Sequence, residues 1–211
     1  MYKTYIFDLD GTLLDTLSDL AAAVNYALRT HGMPEHSIDD VRRFVGNGVR
    51  KLMERAIPDG AANPQFDETF ATFRQYYMAH SLDTTRPYEG IPEALAALKA
   101  RGCRLAVVSN KMMAATQELC QHFFPDTIEV AIGENEAEGI RKKPVPDTVF
   151  AALKALGVGK EGAVYVGDSD VDIETARNSG LPCISVLWGF RDRDFLIQHG
   201  AKTFISDPGN L

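Results

Sequence analysis

Six short runs rich in apolar and β-branched residues recur along the chain: Thr4 to Phe7, Cys103 to Val108, Thr127 to Ile132, Ala163 to Val166, Cys183 to Val186 and Thr203 to Ile205. Each reads as a strand buried on both faces. From Ile91 onward they alternate with helical segments whose ends are marked. Pro92 and Pro146 sit at first turns, and Gly102, Gly157, Gly180 and Gly200 lie at or past last turns. This alternation predicts an α/β fold, a doubly wound parallel sheet of Rossmann-like type.

Far more chain separates the first run from the second than one crossover requires, so the excess reads as an inserted domain. Its pattern is helical at Thr16 to Thr30, Ile38 to Val45, Gly48 to Ala56 and Pro64 to His80. Ser37 with Asp40 predicts a capping box, and Asn63-Pro64 predicts a cap followed by a first-turn proline. The expected division is residues 1–15 and 86–211 as an α/β core, with 16–85 as a helical cap joined by two linkers, a plausible hinge. A chain of 211 residues fits one domain carrying one such insertion.

Composition narrows the partners. The 22 Lys and Arg against 29 Asp and Glu give a net charge of -7, which repels phosphate polymers and anionic lipid, so nucleic acid is a poor partner. No apolar stretch approaches the length of a membrane span, and the charged Asp8 interrupts any export signal. The three cysteines, Cys103, Cys120 and Cys183, lack zinc spacing and fit packing in a reduced, cytoplasmic setting. The oligomeric state is not legible from the sequence.

Polar chemistry concentrates where the strands end, which is where open α/β sheets hold ligands. In Asp8-Leu9-Asp10-Gly11-Thr12, side chains two apart on extended backbone point the same way, so Asp8 and Asp10 project together. Adjacent carboxylates repel unless a cation or proton lies between them, and one ionised, one protonated acid would make a nucleophile and a general acid. Gly11 and Thr12 let the backbone curl so that its N–H groups face an anion. Ser109-Asn110 ends the second run with two groups able to donate to phosphate oxygens, although Ser-Asn there also suits a helix cap. Lys143, held by Pro144, can neutralise both Asp8 and a phosphate, with Lys142 as the alternative. In Gly167-Asp168-Ser169-Asp170-Val171-Asp172, Asp168 suits direct coordination of Mg²⁺, and Asp172, one helical turn on, suits support of that ligand.

These four segments resemble, in order and spacing, the motifs of the haloacid dehalogenase superfamily phosphatases. Asp15 to Leu20 and Phe44-Val45-Gly46-Asn47-Gly48-Val49-Arg50 are most similar to the phosphoglycolate phosphatase group. The resemblance implies a phosphatase of small phosphorylated metabolites. It implies that Asp8 attacks phosphorus and becomes an aspartyl phosphate, and that Asp10 protonates the leaving alcohol and then activates water. It further implies that Ser109, Asn110 and Lys143 hold phosphoryl oxygens. Mg²⁺ is implied on the Asp8 and Asp168 carboxylates and the Asp10 carbonyl. Asp10 disfavours a dehalogenase, Leu20 disfavours a phosphomutase, and only Lys51 could serve a phosphonate-cleaving Schiff base.

Phosphoglycolate, a sugar phosphate, a nucleotide and pyrophosphate all stay open as substrates. Arg42, Arg43, Arg50 and Lys51 could reach a substrate carboxylate or form a solvated face. The five histidines show no ligand spacing, and Trp188-Gly189-Phe190 lines either the pocket or the core. A signalling module that accepts phosphate on aspartate without turnover is the alternative class, but receivers place that aspartate on a later strand and lack a cap. A catalytically dead subunit would have lost one of Asp8, Asp10, Lys143 or Asp168.

Overall fold

The computed structural model of the protein describes residues 2–211. Two compact units divide the chain: Met1–Leu14 with Pro87–Leu211, and Asp15–Arg86. The first unit holds a six-stranded sheet, β1 (Thr4–Phe7), β4 (Arg104–Met112), β5 (Val130–Glu134), β6 (Ala163–Gly167), β7 (Cys183–Val186) and β8 (Phe204–Ile205), in the order β5-β4-β1-β6-β7-β8. Every pairing in it is parallel. Strand order reverses at β1, which makes its carboxyl end the switch point where such sheets bind ligands.

Period-two alternation sorts β1 between two apolar layers. Tyr5 and Phe7 pack with Ile91, Leu95 and Leu98 of α5 (Ile91–Ala100) and with Leu119 of α6 (Met113–Phe123). Ile6 points the other way, to Val149, Leu153 and Leu156 of α7 (Asp147–Leu156) and Ala176 of α8 (Asp170–Ser179). A short α9 (Arg193–Gln198) precedes β8. The predicted doubly wound α/β sheet is therefore the observed one.

In the sheet, element ends differ from expectation most clearly at β4 and β5. β4 continues past Val108 to Met112, because Met112 pairs with Glu134 of β5 beyond a bulge, so Ser109-Asn110 belongs to a strand and caps no helix. β5 begins at Val130 rather than Thr127, since the N–H groups of Thr127 and Ile128 both donate to the Phe124 carbonyl in the turn that closes α6.

The second unit contains α1 (Leu17–Thr30), α2 (Ile38–Phe44), α3 (Val49–Ala56) and α4 (Phe66–His80). α1 packs along α4 and α2, burying Leu20, Val24, Ala27 and Leu28 on one helical face. Phe66, Phe70, Phe73 and Tyr77 form a stacked row along α4. The expected Ser37–Asp40 capping box is present. Asn63 and Pro64 do not open α4: the Asn63 Oδ1 instead accepts from the Gln65 N–H, and a 3-10 turn at Gly60–Ala62 takes up the intervening chain. Two-residue strands unforeseen in the sequence, β2 (Leu14–Asp15) and β3 (Arg86–Pro87), pair where the chain enters and leaves this unit. Among the described residues no helix is long and apolar enough to cross a membrane.

Candidate active site

Register decides what meets at the switch point. Phe7 of β1 lies level with Val107 of β4 on one side and Val166 of β6 on the other. Asp8 follows Phe7 directly, and Ser109 and Asp168 each lie two residues past its level partners, so the three come together at the carboxyl side of adjacent strands. Asp8, Asp168 and Asp172 each offer a carboxylate oxygen, and these lie within 4.8 Å of one another.

Lys143 is the buried lysine of its loop, only 3% exposed, whereas Lys142 is exposed. Its ammonium donates to Asp8 Oδ1 at 2.7 Å, to Asp172 Oδ1 at 2.8 Å and to the Tyr165 hydroxyl at 3.1 Å. Asn110 fixes the loop that carries it. The Asn110 Oδ1 accepts from the Lys143 N–H at 2.6 Å, and its Nδ2 donates to the Lys143 carbonyl at 3.0 Å. The side-chain amide expected to face a phosphate is thus engaged with a peptide unit.

Asp172 is fully occupied by donors. Its Oδ1 accepts from Lys143 and Tyr165, and its Oδ2 accepts from the Ser169 hydroxyl and the N–H groups of Asp168 and Ser169, forming the capping box of α8. Asp168 has fewer donors: Thr12 Oγ1 at 3.1 Å and the Phe190 N–H at 2.7 Å, one on each oxygen. Each oxygen keeps a lone pair.

Gly11 and Thr12, expected to turn backbone N–H groups toward an anion, shape the first turn. Their N–H groups donate to the carbonyls of Leu14 and Leu9, closing the turn, and Thr12 contributes its hydroxyl to Asp168 instead. Gly11, at φ +88°, has room for no side chain, because a Cβ there would lie 2.5 Å from Asp168 Oδ2.

Electrostatics follow from depth and donor supply. Burial and the Asp172 and Asp168 charges push the Asp8 carboxyl well above the ordinary range, and Lys143 only partly opposes them. Burial, with Asp172, pushes Asp168 up to about 7 against the Phe190 and Thr12 hydrogen bonds. Burial alone would lower Lys143, but the Asp172 and Asp8 carboxylates outweigh it and hold the ammonium charged.

Sequence reasoning missed two contributors and left a third open between pocket and core. Lys111, 8% exposed, sets its ammonium 3.1 Å from Asp10 Oδ1. Tyr165 bridges Lys143 and Asp172 from the middle of a strand that reads as pure core. The segment after β7 clamps the first turn: Trp188 Nε1 donates to the Thr12 carbonyl at 2.9 Å, and Gly189 admits Asp168 so closely that a Cβ would lie 2.3 Å from its Cβ. The alternation of Ser109 and Lys111 about Asn110 was the one signal that could have revealed Lys111.

Four carboxylates, Asp8, Asp10, Asp168 and Asp172, thus share this strand end with two ammonium groups, Lys111 and Lys143. With all four carboxylates ionised the deficit would equal the charge of one divalent cation, and Asp8 and Asp168 retain acceptor capacity to hold it. The residues fit a metal ion.

The family model for haloacid dehalogenase-like hydrolases matches residues 5–186, spanning all four segments. The chain belongs to that family. Among curated relatives, the phosphoglycolate phosphatase of Aquifex aeolicus is 36% identical over 89% of this chain and 86% of its own. The N-acetylmuramic acid 6-phosphate phosphatase of Pseudomonas aeruginosa is 30% identical over 99% of this chain and 92% of its own. A crystal structure from Lactobacillus delbrueckii subsp. bulgaricus, of a protein provisionally titled a phosphoglycolate phosphatase, superposes with a TM-score of 0.94 at 37% identity, covering 99% of this chain and 96% of that one. Family membership and these relatives agree with phosphatase function.

The basic cluster of the helical unit has acidic neighbours of its own. Arg42 pairs with Asp39, Arg43 with Asp40, Arg50 with Glu54, and Lys51 with Glu54, while Arg50 also lies over the Phe66 ring at 4.9 Å.

Proposed function

We propose that the protein hydrolyses small phosphate monoesters through an aspartyl-phosphate intermediate on Asp8, with Mg²⁺ as its cofactor. The observation that carries this reading is Asp8 itself: a buried carboxylate with one oxygen on the Lys143 ammonium, beside a second carboxylate, Asp168, with acceptor capacity left. Lys143 keeps Asp8 aimed and attracts the phosphoryl group. Ser109, whose oxygen accepts from the Lys111 N–H at 3.1 Å, retains its own proton to donate to a phosphoryl oxygen. Asn110 holds the Lys143 loop in register.

Asp8 attacks phosphorus while the bond to the leaving oxygen breaks and Asp10 delivers a proton there. In the second half, Asp10 takes a proton from the water that cleaves the acyl phosphate. Mg²⁺, held by Asp8, Asp168 and the Asp10 carbonyl, would supply charge neutralisation at the phosphoryl oxygens. Asp172 anchors Lys143 and the turn that presents Asp168. The sheet unit carries this chemistry, and the helical unit is assigned as the family's inserted cap.

The two named activities among the relatives share a chemical class. Phosphoglycolate and N-acetylmuramic acid 6-phosphate are both phosphate esters of a primary alcohol in molecules that also carry a carboxylate. We assign this chain a substrate of that class, phosphoglycolate first. A phosphate-release panel of phosphoglycolate, sugar phosphates, nucleoside monophosphates and pyrophosphate tests it. The expected result is the highest kcat/KM on the carboxylated primary esters. Equal rates on uncharged-tail esters would overturn the substrate class. Free Cys103, Cys120 and Cys183, with the last two thiols pushed up to about 12 by burial, support a reduced, cytoplasmic location.

A further inference from the structure

Each of the two acids in the first turn has its own buried ammonium group. Lys143 serves Asp8, and Lys111 stands 3.1 Å from Asp10 Oδ1. Burying a lysine is expensive unless a counter-charge is built for it. Lys111 is nonetheless 8% exposed at the far end of β4, where a strand could have ended in any polar residue.

The backbone there is tightly fixed. The Lys111 N–H donates to Ser109 Oγ, and its carbonyl accepts from Thr116 Oγ1 at 3.3 Å. Gly133 of β5 approaches so closely that a Cβ would lie 2.5 Å from the Lys111 carbonyl oxygen. Asp10 Oδ1 is sealed from solvent and meets the ammonium at ion-pair distance without a directed hydrogen bond. The Asp10 side chain as a whole keeps 18% exposure, and with Oδ1 sealed this accessibility leaves Oδ2 as the oxygen a substrate can reach.

We propose that Lys111 is a positioning residue for the leaving-group step: its ammonium pins Asp10 Oδ1, so that Oδ2 carries the proton to the departing alcohol. This deepens the phosphatase reading and rests on it. In that step the Asp8 oxygen–phosphorus bond forms, and the ester oxygen–phosphorus bond breaks. The electron pair of the broken bond stays on the leaving oxygen and takes the Asp10 proton. Asp10 becomes a carboxylate, and the Lys111 charge stabilises it as it forms.

An alkyl phosphate needs that proton, because an alkoxide is a poor leaving group, whereas the aryloxide of p-nitrophenyl phosphate departs without it. Lys111→Met and Lys111→Gln are therefore measured on both esters in the full-length enzyme. Removal of a positioned acid costs about 100-fold or more in rate. The expected result is a fall in kcat/KM, which reports only the steps through phosphorylation of Asp8, at least about tenfold larger on the alkyl ester than on the aryl ester. Lys111→Arg should restore part of the alkyl rate. The aryl rate reports an intact nucleophile, so a folding defect would lower both rates together, and Lys111→Gln remains to decide if Lys111→Met does not fold. Equal losses on the two esters in an enzyme that is otherwise active would overturn the Lys111 assignment alone. A wild-type enzyme inactive on both would overturn the phosphatase reading and this proposal with it.

Discussion

Two regions withdraw aspartates from solvent to a similar extent and do opposite things with them. In the helical unit, Asp19 is 3% exposed and its carboxylate accepts from the N–H and hydroxyl of both Thr84 and Thr85. Burial pushes its carboxyl up, but those neutral donors outweigh burial and hold it below the ordinary range. In the sheet unit, Asp8 and Asp168 are equally withdrawn from solvent but enclosed by more protein, receive fewer donors and both face the Asp172 charge, and both are pushed up. Solvent exposure alone does not distinguish a structural acid from a reactive one. Donor supply does: a carboxylate saturated by its own fold is a latch, and one left short has capacity for a cation or a proton.

That contrast can be broken at several points. The largest effect is expected from Asp8→Asn, where an amide replaces the proposed nucleophile. Phosphate release should fall on the order of 10⁴-fold or more while the thermal transition persists. Retained turnover would remove Asp8 from the chemistry. Lys143→Met strips the counter-charge from Asp8 and Asp172 together, and denaturant titration should show a loss of about 3–5 kcal/mol, as for other broken buried pairs. A loss near zero would mean that the two acids do not need the ammonium.

Asp19→Ala tests the latch. It orphans the Thr84 and Thr85 donors and should cost about 1–3 kcal/mol in stability. A neutral result would remove the distinction drawn between the two regions.

The two regions also predict pH trends of opposite sign in metal-free protein. The Asp19 contribution is full above the unfolded value, about 3.9, and is lost as pH falls through its lowered folded value. Asp168 binds a proton in the folded state up to about 7 and loses it near 3.9 when unfolded, so folding grows less favourable as pH rises between those values. The melting temperature of metal-free protein should therefore decline across that window, and Asp168→Asn should flatten the decline. The smallest effect belongs to Lys51→Ala on the exposed pair with Glu54, under about 1 kcal/mol.

The sheet was readable because buried parallel strands are apolar runs closed by Gly and Pro, and the first, third and fourth polar segments stood out against those runs. Ser109 to Met112 was harder, since polar residues in a buried strand look like the start of a loop until β5 pairs with them. Tyr165 contributes through partners on other elements and Phe190 through a backbone N–H, neither of which leaves a local mark in the sequence, while Lys111 is marked only by its alternation with Ser109. Asn110 illustrates the limit in a single residue: its position was legible, while its partner, the Lys143 peptide, lies 33 residues on and exists only once the sheet is assembled.

The claim beneath all of this is that the donor-poor pair, Asp8 and Asp168, is where a divalent cation binds. Thermal melting of wild type, Asp168→Asn and Asp19→Asn, each titrated with Mg²⁺, addresses it directly, because a ligand that binds only the folded state raises the transition with the logarithm of its concentration relative to Kd. Wild type and Asp19→Asn should both gain stability with Mg²⁺, the latter from a lower baseline, and Asp168→Asn should gain almost none. An undiminished Mg²⁺ response in Asp168→Asn would contradict the account.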